Sequence, residues 1–322
     1  MLYNRLKRTN LRVSELCLGT MTFGGQVCEK ESFAIMDCAN DNGINFWDTA
    51  NSYNCGESER IVGQALKGRR DSIILATKVC NPTGNGINDH GLSRRQIFAA
   101  VDESLRRLAT DYIDIYYLHA PDYETHIDET MDAMNDLIHI GKIRYIGVSN
   151  IPAWLIADIL AICDKRGYVA PVITQNVYNT ITRGIEDELV PFIKAHDLSL
   201  AVFNPLAGGL LTGKHNPDKP AKNTRFFNNP GYCSRYWLQE NFAAVDKMKE
   251  TAQRHDMSLT QMSLKWCISR PHVTSVITGA SHLDQLKENL SFVDGNPLPD
   301  EILKTCDEVW DSLCGSRFSY HR

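Results

Sequence analysis

The chain has 322 residues, of which 43% are hydrophobic and 23% are charged, an ordinary composition for a globular protein with a large core. Its formal net charge is −5 and no basic run exceeds two residues, which argues against nucleic acid or an anionic membrane as the main partner. The ten cysteines include no C-x-x-C pair, which favours reduced thiols over a disulfide scaffold.

The amino-terminal segment shows no sign of secretion. Residues 1–20, MLYNRLKRTNLRVSELCLGT, lack the apolar stretch of a signal peptide, and no apolar run approaches the roughly 18 residues of a membrane span. The histidines also show no metal-binding spacing. We therefore expect a soluble, cytoplasmic protein with no metal site.

Short apolar runs alternate with amphipathic segments after a predicted amino-terminal hairpin. The hairpin is YNRLKRTNLRVSEL, residues 3–16, which alternates around a turn signal at Thr9-Asn10 and which we expect to cap the floor of the fold. The apolar runs are Leu16–Leu18, Asn45–Trp47, Ile73–Ala76, Ile113–Leu118, Tyr145–Val148, Val172–Thr174, Leu198–Phe203 and Val273–Ile277. Segments with helical spacing, such as RRQIFAAVDESLRRLA, separate them. Eight strand–helix units predict an α/β fold, a (β/α)8 TIM barrel forming a single domain over residues 1–322.

Two later segments depart from this alternation. The stretch from Ala207 to Trp237, after the seventh predicted strand, is rich in Gly, Pro and Asn and is too long for a simple connector. The segment LPDEILKTCDEVWDSL, residues 298–313, predicts an extra helix outside the barrel.

Every predicted strand ends in a polar or glycine residue. In chain order these ends are Gly19-Thr20-Met21, Asp48, Thr77-Lys78, His119, Ser149-Asn150, Gln175-Asn176, Asn204-Pro205 and Thr278-Gly279-Ala280-Ser281. Barrel enzymes keep their sites at the carboxyl edge of the strands. An Asp, a Lys and a His on three consecutive strand ends therefore predict a shared pocket that Asp48, Lys78 and His119 face.

These residue types permit a restricted chemistry. A buried lysine is costly unless paired, and Asp48 on the neighbouring strand can pair with Lys78. A lysine cation would lower the pKa of the nearby Tyr53 toward working pH, which would make Tyr53 a general acid toward a carbonyl oxygen. His119 could hydrogen-bond the same oxygen and orient the substrate. A proton donor without a metal or nucleophile needs a partner reagent, and a nicotinamide hydride would complete a carbonyl reduction.

The segments GINFWDTANSYNCGESE, ATKV, YIDIYYLHAPD, IGVSN, QNVYN and VFNPLAGGLLTGK together resemble the signature segments of the aldo-keto reductases. The resemblance extends in order from Leu11 to about Trp310. It implies a catalytic tetrad of Asp48, Tyr53, Lys78 and His119. It also implies binding of NADP(H) without a Rossmann fingerprint, in agreement with the absence of G-x-G-x-x-G.

The resemblance assigns the cofactor contacts position by position. The residues matched to the nicotinamide are Ser149, Asn150 and Gln175, with Phe203 stacking on the ring. The residues matched to the pyrophosphate are Asn204, Pro205, Leu206, Ala207 and Gly209. The residues matched to the adenosine are Gly279, Ser281, Gln285, Glu288 and Asn289. Lys214 and Arg225 match residues that hold the 2′-phosphate. Further expected contacts are Gly19, Thr20, Met21, Asp48 and Lys78. Many relatives carry Arg or Lys where this chain has Ser281-His282, which leaves the preference for NADP over NAD open.

The expected activity is the reversible, NADPH-dependent reduction of a small aldehyde or ketone. The sequence leaves open which carbonyl compound is the substrate and in which direction the reaction runs physiologically. It also leaves the oligomeric state open. Residues expected to line the substrate pocket are Met21, Phe23, Tyr123, Phe226 and Tyr232.

One alternative function is that of a lyase in which Lys78 forms a Schiff base, although Asp48 favours the charged form of the lysine. Another is a regulatory, cofactor-sensing subunit, because potassium-channel β subunits resemble reductases of this family.

Overall fold

The computed structural model describes residues 1–222, 224–293 and 295–315, in which strands and helices alternate. The strands are β1 (Tyr3–Arg5), β2 (Arg12–Ser14), β3 (Leu16–Gly19), β4 (Phe46–Asp48), β5 (Ile74–Val79), β6 (Ile113–Leu118), β7 (Ile143–Ser149), β8 (Ile173–Val177), β9 (Ser199–Phe203) and β10 (Ser275–Thr278). The α-helices are α1 (Glu29–Asp41), α2 (Glu57–Ala65), α3 (Arg94–Leu108), α4 (Ile127–His139), α5 (Ala153–Arg166), α6 (Leu189–Ala195), α7 (Pro230–Tyr236), α8 (Gln239–Arg254), α9 (Leu259–Ile268), α10 (Leu283–Ser291) and α11 (Asp300–Cys314).

Strands β3 to β10 form a closed barrel in which all neighbours are parallel. The ring follows chain order, and β10 closes it by pairing with β3, with Val276 opposite Leu16. Each crossover between consecutive strands leaves the sheet and returns on its outside, as parallel pairing requires. The predicted (β/α)8 fold is confirmed.

The two-residue period of a strand decides which side chains enter the barrel. In β5, Ile74 and Ala76 belong to the cluster that fills the barrel interior, whereas Leu75 and Val79 pack in the outer apolar layer. Lys78 continues the alternation of Ile74 and Ala76 and therefore points into the barrel.

Some polar residues predicted to follow the strands belong to the strands themselves. Strand β5 extends to Val79, with Lys78 opposite Tyr117, and β8 extends to Val177, with Gln175 opposite Ala201. Backbone pairing continues there because a parallel ladder uses only main-chain groups, whatever the side chain.

The predicted amino-terminal hairpin is confirmed, with β1 and β2 antiparallel. It lies across the amino-terminal end of the barrel: Asn4 Nδ2 donates to the Thr274 carbonyl (2.8 Å) and the Lys7 amide donates to Ser199 Oγ (2.8 Å). Thr274 and Ser199 stand at the starts of β10 and β9. Leu6 of the hairpin is completely buried in the interior cluster, so the hairpin closes this end.

The predicted carboxy-terminal helix is α11, which packs on α8 outside the ring through a Lys247–Glu308 ion pair (2.8 Å) and a Thr251–Thr305 hydroxyl contact (3.3 Å). The long segment from 207 to 237 contains a 3-10 turn (Ala207–Thr212) and α7. Across the described ranges, no helix is long and apolar enough to cross a membrane.

Candidate active site

A cavity of about 700 Å³ opens at the carboxyl ends of the barrel strands. It brings together all of the site residues predicted from the sequence except Lys78 and Ala207, which are fully buried. The predicted residues that line it are Gly19, Thr20, Met21, Asp48, Tyr53, His119, Ser149, Asn150, Gln175, Phe203, Asn204, Pro205, Leu206, Gly209, Lys214, Arg225, Gly279, Ser281, Gln285, Glu288 and Asn289.

Lys78 lies beneath the cavity wall with all three of its N–H donors engaged. Its Nζ donates to Asp48 Oδ1 (2.5 Å), to the Thr49 carbonyl (2.7 Å) and to the Tyr53 hydroxyl (3.2 Å). An ammonium has three donors, so these contacts use its full capacity. A buried ion pair is tolerated when its remaining hydrogen-bonding groups are satisfied, and the Lys78–Asp48 pair meets that condition.

Tyr53 is held by a turn with unusual backbone geometry. The three residues that follow it all have positive φ: Asn54 (47°), Cys55 (56°) and Gly56 (87°). This conformation is strained for residues with a Cβ. The side chain of Asn54 offsets this strain, because its Nδ2 donates to the carbonyls of Met21 (2.9 Å) and Phe23 (2.7 Å) and so attaches the turn to the loop after β3.

The protonation states follow from burial and from the Lys78–Asp48 pair. Burial opposes the charge on Lys78, but Asp48 and the Tyr53 oxygen outweigh it, so the pKa of Lys78 is raised. Burial also raises the pKa of the Tyr53 hydroxyl above its ordinary value, although Lys78 acts to lower it. The predicted net lowering of the Tyr53 pKa is therefore wrong for this structure, because removal of the phenol from water outweighs the lysine cation.

His119 is neutral at physiological pH. Burial, followed by the Lys78 charge, lowers its pKa from 6.5 to about 3. Its Nδ1 lies 3.2 Å from the side-chain amide of Asn81, which can donate to it and so favours the tautomer with hydrogen on Nε2. The ring stands edge-on to that of Tyr53, with centroids 5.8 Å apart. Asn81 was not predicted; it follows β5 by two residues, within a loop that has no periodic signal.

Gln175 reaches Asp48 from the opposite side of the barrel. Its Nε2 donates to Asp48 Oδ2 (2.9 Å), the carboxylate oxygen that Lys78 does not use. Beside it on β7, Ser149 Oγ accepts from Asn150 Nδ2 (3.0 Å), which also donates to the His119 carbonyl (3.3 Å). Residues predicted to hold a nicotinamide thus contact members of the predicted tetrad directly.

The wall after β9 is a tight turn that exposes backbone to the cavity. Asn204, at φ 61°, accepts the Gly208 amide through its Oδ1 (3.1 Å). A Cβ on Gly208 would lie 2.8 Å from the Tyr232 ring, so glycine is needed there. Gly208 lines the cavity, whereas the methyl of Ala207 packs into the apolar layer, so the predicted cofactor contact of Ala207 would have to come from its backbone.

Three cations from the long segment face the cavity: Lys214, Arg225 and Arg235. Arg225 donates to the Tyr232 hydroxyl (3.3 Å), and both arginines lie near the Tyr232 ring. Among the residues that the structure describes, none of the three has a carboxylate within ion-pairing distance. Cations without an acidic partner suit an anionic group of a ligand.

The far end of the cavity is formed by the start of α10. Both the amide and the Oγ of Ser281 donate to Gln285 Oε1 (2.9 Å each), and Asn289 Nδ2 donates to Thr278 Oγ1 (2.9 Å). The cavity thus has an acid–base cluster at Tyr53, exposed backbone and cations along its length, and polar side chains around Gln285. This sequence of groups fits a dinucleotide bound in extended form.

The predicted substrate residues divide into two groups. Met21 and Tyr232 line the cavity, as expected. Phe23 and Phe226 do not, because both rings are fully buried in the apolar layer, and Tyr123 lies outside it with 71% of its surface exposed. Lining residues that were not predicted are Thr22, Gln26, Asn81, Ala120, Thr212, His215, Thr224, Arg235, Thr260 and Ile277. Within the described ranges, no group of His, Cys, Asp and Glu could hold a metal ion.

The chain is similar to known proteins over most of its length. Residues 15–311 match the sequence model of the Aldo/keto reductase family. A probable voltage-gated potassium channel subunit beta from Arabidopsis thaliana is 38% identical over 310 residues, covering 94% of each chain. Aldo-keto reductase family 7 member A3 from Homo sapiens is 35% identical, covering 95% of this chain and 96% of the relative. Aflatoxin B1 aldehyde reductase member 2 from Rattus norvegicus is 32% identical, covering 95% and 87%.

Proposed function

The chain belongs to the aldo/keto reductase family, and we propose that it catalyses the reversible, NADPH-dependent reduction of an aldehyde or ketone to an alcohol. The observation that carries this proposal is the Lys78–Tyr53 contact of 3.2 Å at the base of the cavity, with neutral His119 beside it. Relatives that carry the name aldehyde reductase support the choice of substrate class.

In the proposed reaction, Tyr53 gives its proton to the carbonyl oxygen. The raised pKa of Tyr53 keeps the hydroxyl protonated at neutral pH, and the Lys78 ammonium stabilises the tyrosinate that forms. Neutral His119 donates from Nε2 to the same oxygen and orients the carbonyl. NADPH, when bound, would supply the hydride that the carbonyl carbon receives. Tyr53 then recovers a proton from solvent.

We propose that the cofactor lies along the cavity from Tyr53 to Gln285. Its carboxamide would contact Ser149, Asn150 and Gln175, and Phe203 would stack on the nicotinamide ring. Gly19, Thr20 and Met21 would form the wall beside the ring. The turn from Asn204 to Gly209 would offer backbone amides to the pyrophosphate, and the start of α10 would bind the adenosine. Lys214 and Arg225 would bind the 2′-phosphate.

The decisive experiment is a turnover assay with the purified protein, NADPH and a panel of aldehydes and ketones. Loss of NADPH absorbance that depends on both carbonyl compound and protein is the expected result. Tyr53→Phe serves as the negative control for background oxidation. A protein that binds NADPH but turns over no carbonyl of the panel would contradict the enzyme assignment.

The second candidate is a regulatory subunit that binds the cofactor without significant turnover. The 38% identity to the potassium channel subunit beta favours it. Both candidates would bind NADPH in a fluorescence titration. Turnover separates them, because the regulatory subunit would show no activity with the panel of carbonyl compounds.

The structure disfavours the Schiff-base lyase. Lys78 has no exposed surface, its three donors are engaged, and its raised pKa opposes the neutral amine that attack on a carbonyl requires. Borohydride treatment with a carbonyl substrate should therefore leave Lys78 unmodified by mass spectrometry, whereas a covalent adduct on this residue would revive the lyase.

A further inference from the structure

Gln175 and Asp48 meet across the full width of the barrel. Asp48 belongs to β4 and Gln175 to β8, and in the ring of eight strands these two are diametrically opposite. Both side chains are buried, with 2% of Asp48 and 3% of Gln175 exposed, and they are joined by the Nε2–Oδ2 hydrogen bond of 2.9 Å. Gln175 is thus the only described side chain that bonds Oδ2 of the catalytic aspartate.

The two oxygens of Asp48 are divided between two partners. Oδ1 accepts from Lys78 and Oδ2 accepts from Gln175. A carboxylate held at both oxygens cannot rotate, so the direction in which it pulls the Lys78 ammonium is fixed. Without Gln175, Oδ2 would be a buried acceptor with no partner, and the carboxylate would be free to take Lys78 with both oxygens. Lys78 would then turn away from Tyr53, because that contact, at 3.2 Å, is the longest of its three hydrogen bonds.

The other groups around Asp48 do not compete for this role. Besides Lys78 and Tyr53, the ionisable groups that face it are the Cys17 thiol on β3 and the Tyr117 hydroxyl on β6. Burial, reinforced by Asp48, raises the pKa of both well above their ordinary values, so both stay neutral. The neutral side-chain amide of Gln175 is therefore the hydrogen-bond donor to Asp48 on the side away from Lys78.

We propose that Gln175 is a positioning residue for proton transfer: it holds Asp48 so that Lys78 faces Tyr53, and it joins the nicotinamide pocket to the proton donor through one chain of hydrogen bonds. The chain runs from Gln175 to Asp48 to Lys78 to Tyr53, with lengths of 2.9, 2.5 and 3.2 Å. This inference rests on the proposed function, since it assigns Gln175 a second role in addition to the cofactor contact.

The first test uses the protein without cofactor. Gln175→Glu keeps the size of the side chain and places a second carboxylate against Asp48 Oδ2. Two carboxylates this close cannot both ionise, so the pair binds a proton and its pKa in the folded state is raised above the unfolded value. Stability relative to wild type is then lost as pH rises through that pKa. We expect the midpoint of thermal unfolding of the variant to fall by about 3 °C or more, relative to wild type, between pH 5 and pH 8.

The same substitution in an Asp48→Asn background is the matched control, because the amide at position 48 can donate to the new carboxylate at position 175 and no carboxylate pair forms. The pH-dependent loss should be much smaller there. An equal loss in both backgrounds, or no pH dependence in Gln175→Glu alone, would overturn the proposed coupling whether or not the protein proves to be an enzyme.

The second test separates positioning from cofactor binding. Gln175→Met should lower kcat by a larger factor than it raises the Kd for NADPH. The substitution should also raise the pKa of Tyr53. Alcohol oxidation needs the tyrosinate form, so its rate at a fixed pH should fall about tenfold for each unit by which this pKa rises.

Ser149→Ala is the matched comparison, because it removes another proposed carboxamide contact that does not touch Asp48. It should weaken NADPH binding without moving the pH profile. If Gln175→Met behaves like Ser149→Ala, Gln175 is a cofactor contact only. A wild-type protein inactive on every carbonyl would overturn the proposed function instead, and the unfolding comparison would still decide the Gln175–Asp48 coupling.

Discussion

Lys78 donates to the Tyr53 hydroxyl over 3.2 Å, yet Lys78 itself has no exposed surface. A substrate in the cavity can therefore touch Tyr53 but not the lysine that adjusts its charge. The proposed proton donor and its electrostatic partner lie at different depths, so substitutions at the two positions should have different consequences.

Tyr53→Phe removes only the hydroxyl and should lower kcat for carbonyl reduction by about 100-fold or more, the range expected for loss of a general acid. Affinity for NADPH should stay close to that of wild type, because the ring and its edge contact with His119 are kept. Steady-state kinetics with a fluorescence titration of NADPH check both parts. Reductase activity within about tenfold of wild type would contradict the assignment of Tyr53.

Lys78→Met should also remove most activity, but through the acidity of Tyr53 rather than through loss of the donor. Without the cation, burial and Asp48 both raise the pKa of the phenol, so the pH dependence of residual alcohol oxidation should move upward. Measuring that profile against wild type tests the idea. An active Lys78 variant with an unchanged profile would show that the lysine does not tune Tyr53.

Arg225→Ala should weaken NADPH binding about ten- to a hundredfold, since a charge-assisted contact to phosphate contributes roughly 1.5–3 kcal/mol. NADH, which lacks the 2′-phosphate, should bind almost as before. Lys222→Ala is a matched control, because Lys222 is an exposed cation of the same segment that does not line the cavity. Equal losses for both cofactors in Arg225→Ala would mean that the arginine only holds the loop in place, through its contact with Tyr232.

His119 should make the folded protein less stable in acid. Its pKa of about 3 in the folded state lies below the ordinary 6.5, so it stabilises the fold above pH 6.5 and that contribution is lost as pH falls toward 3. His119→Asn cannot take up the proton. The advantage in unfolding free energy of wild type over His119→Asn should therefore be larger at about pH 7.5 than at about pH 4.5. His272, whose pKa burial lowers to about 4, acts equally in both proteins and cancels. An advantage that is the same at both pH values would count against a neutral, buried His119.

Strand periodicity makes the barrel and much of the site predictable. Asp48 and Lys78 fall at the carboxyl ends of apolar runs, and a parallel barrel brings those ends together whatever the loops do. Loop positions have no such constraint, which is why Asn81 and Arg235 were not predicted. The place of Phe23 and Phe226 in the sequence predicts a substrate pocket, whereas the structure buries both rings, as the hydrophobic effect favours.

The acidity of Tyr53 could not be predicted from the sequence for a different reason. The identity of its charged neighbours follows from the strand ends, and their effects have the expected signs. The net direction depends on how far the phenol is removed from water. Its position is set by a turn with three successive positive-φ residues, which no hydrophobic pattern specifies.

The hairpin that closes the barrel also fixes how the molecule can be attached to a surface. It lies against the starts of β9 and β10, whereas the cavity opens at the carboxyl ends of the strands. An anchor placed on the exposed turn at Asn10 would therefore lie at the end of the barrel away from the cavity. A sensor chip or electrode prepared in this way would leave the site accessible from solution, without any chemistry near Tyr53 or the cationic segment.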